Sequence, residues 1–435
     1  MQAFSNHPTG LLPVEENYDP NKPSIKEFYA GRDIFITGGT GFMGKVLIEK
    51  LLRSCSGLNR IFILLREKKS KTTNDRLREI QELPLFEVLR RQDPNALSKM
   101  IPIKGDVSQL ELGMSDEDRK RMSEVSVIFH VAANVRFDDP LKDAVILNTR
   151  GTREMIRFAE SLKNLCVMMH VSTTYSNPDK YIIEEKIYPP YADWEKTIKL
   201  AEEMDTQTLE TFAPKYMGML PNTYVFTKSL AEHIINDYRD RLPLILFRPS
   251  IVISSMRDPI PGWIDNFNGP VGLLVGSGIG LCRTMYCDPN NVADYTPVDV
   301  CIKAMIVAAW KKGTAVVQRT PVSPDSPQLP VYNCCISNLR KLYHVADRRN
   351  GQGALQRHPA GSIKILNTIR VVLYHIMPAI LLDALLRATG QKPFVAKLQR
   401  KIYNANVALE YFIRNNWDFR NDNFIHLASE IKPGG

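Results

Sequence analysis

The sequence predicts a doubly wound α/β fold followed by a small all-helical part. Three observations support this: six short apolar runs alternating with amphipathic stretches of helical length, a glycine-rich turn directly after the first run, and no further strand patterning beyond residue 363. The runs are Asp33–Thr37, Arg60–Leu65, Met100–Lys104, Val127–Val131, Val167–Ser172 and Leu244–Phe247. Each has an apolar centre, as expected of parallel strands covered by helices on both faces. Past Pro249 the chain loosens into Pro-Ile-Pro-Gly-Trp at 259–263 and Gly-Ser-Gly-Ile-Gly at 276–280, which read as loops over one end of the sheet. A Pro/Ser-rich stretch at 321–330 and a linker at 345–362 precede helical patterning from Ile363 to Phe424. The expected division is an N-terminal segment 1–30, a nucleotide-binding region 31–345 and a helical part 363–435.

Composition sets outer limits. The 435 residues are 44% hydrophobic and 24% charged, enough to bury a sizeable core. A net charge of +9 suits phosphates or an anionic surface, but no long Lys/Arg run with interleaved aromatics occurs, which argues against nucleic acid. Seven scattered cysteines lack the spacing of a disulfide framework or a zinc site, so no metal is expected and a reducing compartment fits. The polar N-terminus, with Pro8 and Pro13, lacks the basic and apolar segments of a secretory signal, so the chain should face the cytosol. Nothing in the sequence decides the oligomeric state.

The first strand runs into Thr37-Gly38-Gly39-Thr40-Gly41-Phe42-Met43-Gly44 and then a helical stretch. In a strand-turn-helix context, glycines at 38, 41 and 44 permit a tight turn, close approach of a pyrophosphate and close helix packing, while the helix N-terminus offers free N–H groups. We read this as a dinucleotide site. An NAD site would place an acid after the second strand, but here the chain reads Leu65-Arg66-Glu67-Lys68-Lys69. Arg66, 22 residues after Gly44, suits a 2′-phosphate and points to NADPH. Asp106, after the third strand, either accepts from the adenine amino group or caps a turn. After the fourth strand, small residues around Ala132 admit the nicotinamide ribose, and His130 reads as a packed strand residue.

Tyr224 and Lys228, four apart in Asn222-Thr-Tyr-Val-Phe-Thr-Lys, share one helix face. An ammonium and the nicotinamide cation beside a phenol favour the phenolate, bringing tyrosine toward use as an acid-base group, and Lys228 can also bind the nicotinamide ribose. The fifth strand ends in His170-Val-Ser-Thr-Thr-Tyr, where a hydroxyl can stabilise oxyanion charge; Ser172 is favoured and Thr173 is second. Asn148 is a candidate for holding a water in a proton relay to Lys228.

With these residues in place, nearly the whole chain resembles the extended short-chain dehydrogenase/reductase family, and within it the alcohol-forming fatty acyl-CoA reductases. The resemblance also rests on Phe247-Arg-Pro-Ser250, Pro261-Gly-Trp-Ile-Asp-Asn266, Ala293-Asp-Tyr-Thr-Pro-Val-Asp299, Ile376-Met-Pro-Ala-Ile-Leu-Leu-Asp383 and Trp417-Asp-Phe419. It implies a Rossmann domain and reduction of a long-chain acyl-CoA by two NADPH, through an aldehyde, to a primary alcohol. It also implies a place on peroxisome or endoplasmic reticulum. The aliphatic stretch Val371–Leu382 is only twelve residues, broken by His375 and Pro378, so no span is expected. From Arg387 onward eight Lys/Arg face four Asp/Glu, and the stretch either lies on an anionic membrane or forms a buried core helix. Residues 338–357 and the ending at Lys432-Pro-Gly-Gly435 depart from the family pattern, suggesting a shortened isoform or an altered substrate tunnel. The rival readings are a reductase of steroids or sugar nucleotides, and a non-catalytic NADP-binding isoform.

Overall fold

The computed structural model describes residue 19 and residues 21–67, 70–266, 269–287, 291, 293–317, 328–336 and 364–431. Most of the N-terminal segment, Lys68, Lys69, most of the Pro/Ser-rich stretch, the linker at 345–362, the departure at 338–357 and the last four residues lie outside them.

Seven parallel strands form one sheet: β1 Asp33–Thr37, β2 Arg60–Leu65, β3 Met100–Lys104, β4 Val125–His130, β5 Val167–Val171, β6 Leu244–Pro249 and β7 Val331–Cys334. Their order is β7-β6-β5-β4-β1-β2-β3. The chain therefore runs outward in opposite directions from the β1/β4 boundary, and the crevice beyond the C-terminal ends of those two strands is where such sheets take ligands. The first three strands have the expected bounds. β4 begins two residues early, because Val125 pairs with Asp33 across an irregularity in the ladder. β7 escapes sequence pattern: four residues including Asn333 are too few to show a period, and their burial comes from pairing with β6.

Four helices matter to the site: α1 Phe42–Ser54, α2 Gly151–Glu160, α3 Val298–Val317 and, between them in sequence, the Tyr224/Lys228 helix Thr223–Asp237. Leu47 and Leu51 of α1 and Ile302, Met305 and Trp310 of α3 belong to one apolar core with the strands. The half-buried carboxylate of Glu185 fastens a returning C-terminal segment. It accepts from the backbone N–H groups of Asn333 at 2.9 Å, Asn423 at 2.5 Å and Phe424 at 3.1 Å. Burial raises its pKa to about 7.

Two compact units emerge, one of residues 1–264, 295–336 and 419–435, the other of 265–294 and 337–418. The Gly-rich stretch at 276–280 thus groups with the helical part, whereas the last segment groups with the sheet. In the second unit, Lys364–Val371, the π-helical Val372–Ile376 and Met377–Ala388 follow without a break. Pro378 falls in the first turn of the last piece, where its missing N–H is tolerated. A second long helix, Val395–Arg414, follows. Asp383 caps it by accepting from the N–H groups of Phe394, Val395 and Ala396 at 2.9–3.0 Å. His375 accepts at Nε2 from the N–H groups of Arg283 and Thr284.

Candidate active site

The glycine turn is built for close approach. Gly38 has φ +77°, and a Cβ there would stand 2.6 Å from the Ala132 nitrogen. A Cβ at Gly44 would overlap the Gly38 carbonyl, and one at Gly39 would stand 2.5 Å from Ile63 Cγ2. These three glycines serve the packing of the turn on β4, β2 and α1. Gly41 differs: it is exposed, and the nearest atom to its Cβ is 3.2 Å away. It is the N-cap of α1 with no side chain capping the first turn, so the leading N–H groups face outward beside Thr40, Phe42 and Met43. Uncapped N–H groups and positive helix dipole fit a pyrophosphate. Phe42 stacks on Trp263 with ring centroids 5.6 Å apart.

Thr37, expected at the cofactor, is fully buried and turns its side chain into the sheet. Its hydroxyl accepts from the Ala132 N–H at 3.3 Å and lies 2.7 Å from His130 Nδ1. The Thr152 hydroxyl, 3.2 Å from His130 Nε2, already donates to the Asn148 carbonyl. Nε2 must therefore carry the proton while Thr37 donates to Nδ1. Burial holds His130 at about 3, so it is a neutral strut and not a ligand.

Arg66 and Asp106, expected on the adenosine side, come together at 3.6 Å. The Arg66 side chain is 61% exposed, so most of its guanidinium is available to a further anion. Asp106 Oδ1 accepts from the N–H and hydroxyl of Ser108 at 2.9 and 2.8 Å, the turn-capping alternative, while Oδ2 faces Arg66. Arg76, which sequence reasoning passed over, donates from NH1 to the Arg66 carbonyl at 2.5 Å and brings a second guanidinium to this corner.

The Tyr224/Lys228 helix is capped by Asn222, whose side chain accepts from the Val225 N–H at 2.9 Å. Tyr224 is half-buried, its ring centroid 5.7 Å from that of Phe137. Lys228 is buried and donates from Nζ to the Val171 carbonyl at 2.6 Å. Burial lowers Lys228 to about 8. The same cause pushes Tyr224 up to about 12, with a hydrogen bond to Thr173 acting in the opposite sense. The expected drop in the tyrosine pKa is thus absent: removing the phenol from water outweighs everything that favours its anion, and Lys228 is turned to a carbonyl.

The Ser172 hydroxyl donates to Glu232 Oε1 at 2.5 Å, while Thr173, the second choice, stands beside Tyr224. Strand alternation is the reason, since adjacent residues leave a strand on opposite sides. Asn148, buried on the π-helical turn Val145–Arg150, accepts from the Asn134 N–H at 2.8 Å and donates to Thr227 at 2.9 Å. Its side chain ties the stretch after Ala132 to the helix that carries Tyr224 and Lys228. Glu232 and Arg248 were not singled out from sequence. The signals were the third polar residue of a Tyr-x-x-x-Lys-x-x-x-Glu face, and a charge inside a strand buried on both sides, which needs a partner.

Family models described as male sterility protein match residues 36–305 and 374–434. A Rattus norvegicus protein named fatty acyl-CoA reductase 1 is 40% identical over 94% of this chain and 80% of its own length. The Drosophila melanogaster fatty acyl-CoA reductase wat is 35% identical over 99% of this chain and 83% of its own. Among solved structures, the terminal R domain of the myxalamid biosynthetic pathway aligns with a TM-score of 0.56 at 19% identity, over 92% of this chain and 85% of that one. A nonribosomal peptide synthetase R domain from Mycobacterium tuberculosis gives 0.55 at 19%, over 96% and 88%. These two structures carry the fold alone.

Proposed function

Since the chain belongs to the fatty acyl-CoA reductase family, we propose that it reduces a long-chain fatty acyl-CoA with NADPH, through an aldehyde, to a primary alcohol with release of CoA. One observation carries the chemistry: Thr173, Tyr224 and Lys228 converge at the end of β5, beside the crevice that the glycine turn opens. When bound, the nicotinamide supplies hydride to a carbonyl carbon.

Tyr224, protonated at neutral pH, gives its proton to the substrate oxygen as that carbon is reduced. Thr173 donates a hydrogen bond to the same oxygen and steadies the developing charge. With a thioester the product is a thiohemiacetal, which loses CoA thiol to leave an aldehyde. Tyr224, reprotonated, serves the second reduction in the same way. Lys228 contributes the nearby positive charge. No thiol is required, and the seven cysteines fit this, six being buried and Cys287 half-buried. Arg66, aided by Arg76, supports the choice of NADPH over NADH through their charge at the 2′-phosphate corner.

The second unit supports a place on a membrane surface. Leu366–Ala388 is a helix of 23 residues, within which an 18-residue window has mean hydropathy 1.8 and is only 17% buried. Length therefore does not rule out a span, contrary to the sequence expectation. The residues facing inward are His375, Ala379 and Asp383, while Leu373, Ile380, Leu381 and Leu385 are at least half exposed. An apolar outside around a polar seam suits hydrocarbon contact. His375 is mid-helix and bonded to the Arg283 backbone, which would set a charged residue near the bilayer centre if the helix spanned. We therefore read it as lying in the interface of a peroxisomal or endoplasmic-reticulum membrane.

The test is incubation with palmitoyl-CoA and NADPH. The reading expects two NADPH consumed for each CoA and hexadecanol formed. Absence of turnover across acyl chain lengths, with NADPH bound, overturns it, and accumulation of hexadecanal at one NADPH per CoA overturns the alcohol product.

A further inference from the structure

Glu232 lies one helical turn beyond Lys228 and two beyond Tyr224, on the same face of the catalytic helix. It is buried, as are Ser172, Lys228 and Arg248. Oε1 accepts from Ser172 Oγ at 2.5 Å and Arg248 Nε at 2.9 Å, and Oε2 accepts from Arg248 NH2 at 2.6 Å. Arg248 in turn donates to the carbonyls of Glu184 and Lys186 at 3.2 and 3.0 Å. Arg248 alone would neutralise the carboxylate. Yet its field reaches further, favouring the charged form of Lys228 and the neutral form of Tyr224.

Both influences keep a proton in place, and a protonated tyrosine beside an ammonium is the state that a reduction begins from. We propose that Glu232 is a positioning residue, whose buried negative charge keeps Tyr224 and Lys228 protonated together and holds Ser172 turned away from the reacting oxygen. This rests on the reductase reading above.

The other ionisable groups facing this cluster are His130 and His170 from the sheet, Arg248 from β6, and His233, with Asp237, from the helix itself. Burial keeps His130 and His170 neutral, and His233 is lowered by burial as well, so none of the three histidines changes charge above about pH 7.

The experiment compares the wild type with Glu232→Gln and Glu232→Asp. In kcat/KM against pH, Glu232→Gln should move the alkaline limb toward acid by about one unit, with Glu232→Asp in between. A limb at the same pH in all three overturns the proposal, whereas a wild type inactive on every acyl-CoA overturns the reductase reading. The second measurement uses cofactor-free protein. Lys228 has a folded pKa near 8, below its unfolded value, so the unfolded chain holds more protons from there up to about 10.4 and stability rises with pH in that window. Without the counter-charge this rise begins at lower pH. The Tm deficit of Glu232→Gln should therefore shrink from pH 7 to pH 9.5, leaving only the part due to Arg248. A deficit constant across that range marks a purely structural residue and overturns the proposal. If Glu232→Gln does not fold, Glu232→Asp is read alone in both assays, with a smaller shift of the same sign expected and an unmoved one overturning it.

Discussion

The Lys228 ammonium donates to the carbonyl oxygen of Val171, the last residue of β5, at 2.6 Å. One bond thereby fastens the helix that carries Tyr224 to the strand end that carries Thr173.

Tyr224→Phe removes the proton donor and little else, since the ring still packs on Phe137. Turnover of palmitoyl-CoA should fall by about 10²–10⁴-fold with NADPH affinity preserved. Stopped-time assays and NADPH fluorescence titration check both halves, and an unchanged rate removes Tyr224 from the mechanism.

Thr173→Val and Ser172→Ala separate the two hydroxyls. Thr173 hydrogen-bonds Tyr224 while Ser172 is committed to Glu232, so the Thr173 variant should lose the larger factor in kcat, by about tenfold or more. The reverse ranking would return Ser172 to the role that sequence assigned it.

Arg66→Ala should raise the KM for NADPH by about 10–100-fold and leave that for NADH nearly unchanged, the range expected when a charge-assisted bond to a phosphate is lost. Arg76→Ala should act in the same direction. Equal KM values for the two nucleotides in the wild type would sink the assignment of NADPH.

Gly38→Ala forces a side chain into φ +77° and against the Ala132 nitrogen, 2.6 Å away. The expected loss is about 1–3 kcal/mol from the backbone conformation alone, with the overlap adding to it. Urea unfolding measures this, and a midpoint matching the wild type would mean the turn relaxes freely.

Leu381→Glu with Leu385→Glu places two charges on the exposed face of the apolar helix, where both leucines are more than 60% exposed. Flotation with anionic lipid vesicles should show binding reduced at least about tenfold, since each buried leucine contributes roughly 1.5–3 kcal/mol. Binding that resists both changes would refute the interfacial reading.

By itself the sequence determined the α/β class, three strands to the residue, the glycine turn, the Tyr224/Lys228 face and the family. All of these are local: a two-residue or four-residue period and a strand-turn-helix spacing are written along the chain. Tertiary structure alone decided the rest. β7 exists because β6 is beside it. Ser172 and Thr173 meet different partners because an unforeseen Glu232, held by Arg248, lies on one side of the strand end and Tyr224 on the other. The tyrosine rose to about 12 because burial outweighs the opposing hydrogen bond with Thr173. Hydrogen-bond partners and desolvation depend on which distant segments meet, and no spacing in the sequence records that.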